Sequence, residues 1–233
     1  MDKQLHPEEQ HLKNSEVITD IVIGISDGLM VPFALVAGLS GVVDSNNIIV
    51  FAGVTAIGAG SIAMGLGGYL TGKTEMDHYQ SELRSEYDEA EELPQREKEK
   101  AKDFFANLGL SDAMQQEATE EVIKDKEKWV EFKMKHELGL QKTDPKRAIK
   151  SGLNIGSSYI VGGLVPISPY FFIDEPIEAL KYSAIITLVC LFVFGWLKSK
   201  FTGLNPWKGA LRVAIIGALA AGAAFFVARL FEV

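Results

Sequence analysis

The 233-residue sequence predicts an all-α membrane protein of five transmembrane helices, with a cytosolic helical insert between the second and the third. Three observations carry that expectation. Apolar runs recur at about 17–43, 48–72, 149–173, 179–198 and 209–231, each near the ~20 residues that cross a hydrocarbon core. Between the second and third runs the composition turns to dense charge. The whole is 47% hydrophobic yet carries a formal net charge of -8, as expected of apolar spans separated by one strongly charged segment. The expected division is a polar N-terminal tail at 1–16, helices one and two in 17–72, the insert in 73–148, and helices three to five in 149–233.

The first span centres on Asp20 to Leu39, DIVIGISDGLMVPFALVAGL, extended backwards by Val17, Ile18 and Thr19. It carries two carboxylates, Asp20 and Asp27. A carboxylate near mid-bilayer costs about 2.5–3.5 kcal/mol on insertion scales, so it is a functional candidate by default. The two are seven apart, two turns along one helix face. Pro32 offers no backbone N–H and Gly28 no side chain, so a kink is expected just past Asp27, freeing carbonyl oxygens near it. A polar turn at 44–47 leads into the second span, where Gly53, Gly58, Gly60, Gly65, Gly67 and Gly68 allow close helix approach. Met64 sits among these glycines. A methionine is commonly a gap-filler, but beside a membrane carboxylate its thioether suits a borderline transition metal better than calcium or magnesium.

The insert opens with KTEMDHYQSELRSEYDEAEE, which contains no helix breaker, so span two is expected to continue into water as a helix until Pro94. A second helix runs from about Gln95 to Leu108, Ser111 N-caps a third, and a fourth contains Trp129 to Leu138. Glu82, Glu86 and Glu89 share one helix face, so their carboxylates repel unless cations intervene. With Glu97, Met134 and Glu137 they form a second candidate metal cluster; the plainer reading is a solvated helical hairpin. Span three combines Gly152, Gly156, Gly162 and Gly163 with Pro166 and Pro169, and is expected to be irregular near its end. Span four carries Cys190, and span five, AIIGALAAGAAFF, packs through small residues.

Lys198, Lys200, Lys208 and Arg212 mark the loop between spans four and five, whereas 44–47 and 174–178 hold only acidic or neutral residues. Positive-inside then puts the N-terminus, the insert and the 198–208 loop in the cytosol, with the C-terminus opposite. The polar, acidic N-terminus does not read as a signal peptide. One cysteine supports neither a disulfide framework nor a thiolate site, and net negative charge argues against nucleic acid as a partner.

The runs TDIVIGISDGLMVPFALVAGL, GSIAMGLGGYLTGKTEMDHY, WVEFKMKHELGLQKTDPKRA and SYIVGGLVPISPY together resemble the vacuolar iron transporter family, over nearly the whole chain after Glu16. The resemblance implies a five-helix protomer and a homodimer with the ion path between the two first helices. It implies export of Fe2+, with Mn2+ next, from the cytosol in exchange for protons: a transporter and not an enzyme, with no permanently bound cofactor. The membrane would be the cytoplasmic one in a prokaryote or a vacuole-type one in a eukaryote. The family's path-facing aspartate and methionine fall on Asp27 and Met64, and an acidic residue nearer the cytosolic entrance falls on Asp20. Its cytosolic metal ligands fall on Glu86, Glu89, Glu97, Met134 and Glu137. Three positions depart from the pattern. A second-helix glutamate is Ala56 here, an insert glutamate is Lys100, with Glu99 and Asp103 nearby as substitutes, and an insert methionine is Lys133. Ammonium groups among carboxylates compete with a metal for the same charge, so metal binding by the insert is expected to be weak. Two other readings stand beside this one. Glu75 and His78 form a Glu-x-x-His pair, as in a membrane-anchored di-iron oxidase or store, although such sites need two pairs and two further glutamates. Ala56 motivates a transport-defective metal sensor of the same fold.

Overall fold

The structure, a computed structural model, describes residues 7–142 and 144–230, with side chains from Glu16 onward. Residues 1–6 of the expected tail, residue 143 of the insert and 231–233 at the end of the fifth run lie outside the described residues. All regular structure among the described residues is helical. In chain order it comprises α1 (Pro7–Ser40), α2 (Asn46–Glu92), α3 (Pro94–Asn107), α4 (Asp112–Ile123), α5 (Lys126–His136) and α6 (Arg147–Ile167). A short 3₁₀ turn, Ser168–Phe171, then leads to α7 (Pro176–Phe201) and α8 (Pro206–Leu230). The chain forms two compact units, one up to Leu70 together with Ala148 onward, the other Thr71–Arg147.

Local chemistry accounts for the helix boundaries. Among the described residues α1 runs from Pro7, well before the apolar run at Val17. It remains helical through Pro32. α2 meets no breaker over 47 residues and ends at Glu92; Leu93 is non-helical and Pro94 opens α3. Gly109, at φ +84°, ends the turn after α3, in the left-handed region that favours glycine. Ser111 is the extended N-cap of α4, although its hydroxyl makes no capping bond. Asp125 caps α5 by accepting from the Lys128 N–H at 3.2 Å. α5 ends at His136, two residues short of the expected Leu138, with the Glu137 N–H still bonded to the Lys133 carbonyl at 2.9 Å.

In the first unit four helices are long and apolar enough to cross a membrane: α1 from Glu16, α2, α7 and α8. α6 is not among them, because Ser151, Asn154, Ser157, Ser158 and its glycines dilute its apolar content. Its buried side carries Ser151, Ile155, Tyr159, Gly162 and Gly163, while Leu153, Val161 and Leu164 point outward. The core is built on Val36, Ile49, Ile57, Ile167, Tyr170 and Ala179, with Phe33, Ala37 and Ala221 in a second cluster. The exterior is apolar too. Phe51, Ile185, Val189, Leu219 and Phe226 are all exposed, as side chains that face lipid can be.

Several polar groups inside this unit are paired, although Asn46 Oδ1 and Thr187 Oγ1 are buried without a hydrogen-bond partner. The Ser40 and Tyr170 hydroxyls are 2.8 Å apart, and Asn46 Nδ2 donates to the Tyr170 and Ile173 carbonyls at 2.5 and 2.7 Å. Ser183 donates to the Pro166 carbonyl at 2.6 Å, taking up an acceptor that the end of α6 leaves without a helical partner. The second unit has its own small core. Phe104 meets Phe132 edge-on at 4.8 Å, Trp129 stacks on Phe132 at 5.7 Å, and Ala101, Val130 and Met134 are buried nearby in α3 and α5.

Candidate functional site

The sequence marks two sets of residues, and each falls within one unit. In the first, Asp20 is buried on α1 and accepts a 2.9 Å hydrogen bond from the Ser151 hydroxyl of α6. Asp27 lies two turns further along α1 and is partly exposed on the protomer. The glycines on either side of its turn fix what lies beside it. A methyl group added at Gly24 would overlap the Ile155 carbonyl, and one at Gly28 would overlap that of Tyr159. The backbones of α1 and α6 therefore touch at the level of Asp27.

α2 approaches an adjacent face of α6 in the same way. A methyl at Gly65 would lie 3.0 Å from the Gly152 carbonyl oxygen, and one at Gly156 would lie 3.0 Å from that of Ser61. Met64, half-buried, is on the turn held by this contact. Gly60, one turn earlier, has no room for a side chain because the Tyr159 phenol lies against it. Close backbone approach of this kind is how helices associate where lipid gives no hydrophobic drive. As a result the turns of Asp27 and Met64 both rest on α6, and Tyr159 is common to the two contacts.

Tyr159 was not among the residues singled out from the sequence. It is buried, and its backbone lies against Gly28, the residue next to Asp27. A signal was available, since Tyr159 is the only aromatic residue of α6 and sits between pairs of glycines. Ala56 is half-buried on α2 and brings no polar group.

The second set lies in the Thr71–Arg147 unit. Glu86 and Glu97 are buried, and Lys133, between them, is fully buried. Its ammonium ion-pairs with Glu86 and lies 2.7 Å from Glu97 Oε2. Trp129 Nε1 donates to the same oxygen at 3.0 Å. Lys100 bridges Glu89 at 2.8 Å and Glu97 at 3.3 Å. Burial pushes the Glu97 carboxyl up, but the hydrogen bonds from Lys133 and Trp129 and the charges of both lysines hold it below its usual range. The Lys100 hydrogen bond holds Glu89 low as well. Burial opposes the charge on Lys100, yet the two carboxylates keep it protonated well above its ordinary value.

Three of the five expected insert ligands, Glu86, Glu89 and Glu97, are thus brought together, with two lysines among them. The other two are not in that arrangement: Met134 is packed in the small core, and Glu137 is exposed at the end of α5. Glu99 and Asp103, the suggested substitutes at Lys100, are both exposed. His78 faces Glu82 at 3.8 Å on its own helix. Among the described residues no group of three or more His, Cys, Asp or Glu side chains is close enough to hold a metal ion.

The comparisons with known proteins agree with one another. A family profile described as the VIT family matches residues 18–229. The chain is 45% identical to Vacuolar iron transporter 1 of Tulipa gesneriana over 222 residues, covering 95% of this chain and 90% of the relative. It is 42% identical to Vacuolar iron transporter 1 of Arabidopsis thaliana over 227 residues, 97% of this chain and 91% of that one. Similarity to Protein CCC1 of Saccharomyces cerevisiae is 38% over 224 residues, 92% of this chain and 69% of the yeast protein.

Proposed function

The chain belongs to the VIT family, and from that premise we propose that it exports divalent metal from the cytosol, Fe2+ first and Mn2+ second, in exchange for protons. The observation that carries this reading is the double seating on α6, which holds Asp27 and Met64 against one helix with Tyr159 between their contacts. The relatives' names, vacuolar iron transporter, support iron as cargo and a transporter rather than an enzyme.

In this reading α6 is the fifth crossing, with its polar and glycine side turned to α1 and α2 and its apolar side to lipid. The N-terminus and the Thr71–Arg147 unit are cytosolic, and the membrane is vacuole-type or its equivalent. Asp20 is the entrance carboxylate, with its orientation set by Ser151. Asp27 carries the ion. A carboxylate left facing lipid is strongly disfavoured. Asp27 is partly exposed and shares its face with exposed Val31, one turn away. A second copy of α1 is the cover best matched to that face, since it brings a like carboxylate and a like apolar residue. Two Asp27 carboxylates and two Met64 thioethers then replace part of the ion's water shell. Two carboxylates across a dimer axis share protons, one being held protonated more readily than the other, which suits exchange of metal for H+.

The test is uptake of Fe2+, Mn2+, Co2+ and Zn2+ into proteoliposomes with and without a pH gradient. Metal uptake accelerated by an acidic lumen is expected. Uptake of none of the four ions refutes transport, and uptake indifferent to the gradient refutes proton exchange.

A further inference from the structure

The buried charges of the Thr71–Arg147 unit take no part in the membrane path, and they do not fit a bound metal. A divalent ion bridging Glu86 and Glu97 would need the position that the Lys133 ammonium occupies. That lysine is fully buried, and its side chain comes from α5 whereas its partners come from α2 and α3, so one ammonium ties three helices together. Lys100, on α3, joins Glu89 of α2 to Glu97 of its own helix at the edge of the cluster. Three carboxylates face two ammonium groups, leaving one net negative charge where an arriving metal would otherwise meet three. Met134, the nearest soft donor along the chain, is packed in the core.

An ammonium is taken out of water only where anions and hydrogen bonds replace its hydration, and these carboxylates are stable there only while it stays. We propose that Lys133 is a resident counter-cation. It stands where a divalent metal would sit among Glu86, Glu89 and Glu97, so that this unit assembles without metal and does not take up metal as cargo. The unit is then a permanent scaffold, and its folding is insensitive to metal supply. This holds whether or not the membrane path works as proposed, because its readout does not involve transport.

The test is limited proteolysis of the full-length protein in detergent, with subtilisin, which needs no lysine, in EDTA or in excess Mn2+. Cleavage between 71 and 147 is followed by fragment mass. The wild-type protein is expected to be cut at rates within about twofold of each other in the two conditions, since cleavage tracks the open population. Lys133→Met leaves two buried carboxylates facing each other, so cleavage in EDTA is expected to rise about tenfold or more. Mn2+ should restore protection, because the vacated place then has the charge for it. Should Lys133→Met be cleaved rapidly in both conditions, Lys133→Met with Glu86→Gln decides. Protection regained in EDTA supports the counter-cation role, and its continued loss overturns it. Wild-type protection that depends on Mn2+ also overturns it, as does a Lys133→Met protein as resistant as wild type in EDTA.

Discussion

Replacing Gly28 with alanine adds one methyl group where α1 meets α6. In the structure that carbon would lie 3.0 Å from Tyr159 Cα and closer still to its carbonyl oxygen. These are backbone atoms, which cannot swing aside as a side chain can. Ordinary contact requires the two helices to part by about 1 Å, and overpacking of this kind costs about 1–3 kcal/mol. The separation falls one residue from Asp27 and at Tyr159, so the site is displaced as well as the fold weakened. Gly222→Ala on α8 is the control, because nothing lies within 4 Å of a methyl there. A helical glycine exchanged for alanine in open space gains up to about 1 kcal/mol. Two assays suffice: thermal unfolding in detergent, and initial Mn2+ uptake in proteoliposomes. Gly28→Ala should melt several degrees lower and transport at least about tenfold more slowly, as a displacement near 1 Å does to a positioned site. Gly222→Ala should match or exceed wild type in both. A Gly28→Ala protein that melts and transports like wild type would refute the claim that backbone contact with α6 positions Asp27.

Three further outcomes follow from the same geometry. Asp27→Asn keeps the shape and removes the charge, so proteoliposome uptake should fall to background while the melting temperature holds; uptake near the wild-type rate would remove Asp27 from the path. Met64→Leu should change the order of preference among Fe2+, Mn2+, Co2+ and Zn2+ more than the maximal rate, and an unchanged order would make Met64 packing alone. The charge cluster of the second unit sets a pH window. Glu89 and Glu97 titrate below their ordinary 4.5, so their contribution is complete above that value and is lost as pH falls through the lowered one. Lys100 titrates above its ordinary 10.5, so its contribution is complete below that and is lost as pH rises through the raised one. Hydrogen exchange of residues 71–147, corrected for intrinsic rates, should therefore show flat protection from about pH 5 to 10. A slope at neutral pH would mean that another group governs the unit.

The apolar runs, the break at Pro94 and the cap at Ser111 were legible because each is written in a short window. Hydrophobic stretches mark helices that can meet lipid, and proline and serine punctuate locally. That α1 is already helical well before Val17 was not legible, since the apolar run records where a helix can enter lipid and not where its hydrogen bonding begins. Asp20, Asp27 and Met64 stood out as polar or soft groups in apolar company. Lys133 was marked only through the family resemblance, as an ammonium among expected ligands; its full burial was not legible, because that depends on partners 36 and 47 positions away. Tyr159 escaped for a similar reason: its role rests on glycines of two other helices.

The bonds that join Ser40, Asn46, Tyr170 and Ile173 have a mechanical consequence. They clamp the junction of α1 and α2 to the segment that follows α6, through one hydroxyl pair and two amide donations. Twenty residues back along α1, roughly 30 Å away along the axis, the bond from Ser151 to Asp20 joins α1 to α6. Any rocking of α1 against α6 therefore has its fulcrum at Ser40 and its lever end at Asp20. A tilt of about 5° over that length moves the lever end by about 2.5 Å, enough to break the Asp20 bond while the clamp stays shut. The Ser151 bond is thus one of the contacts that any such tilt must break at the aspartate end.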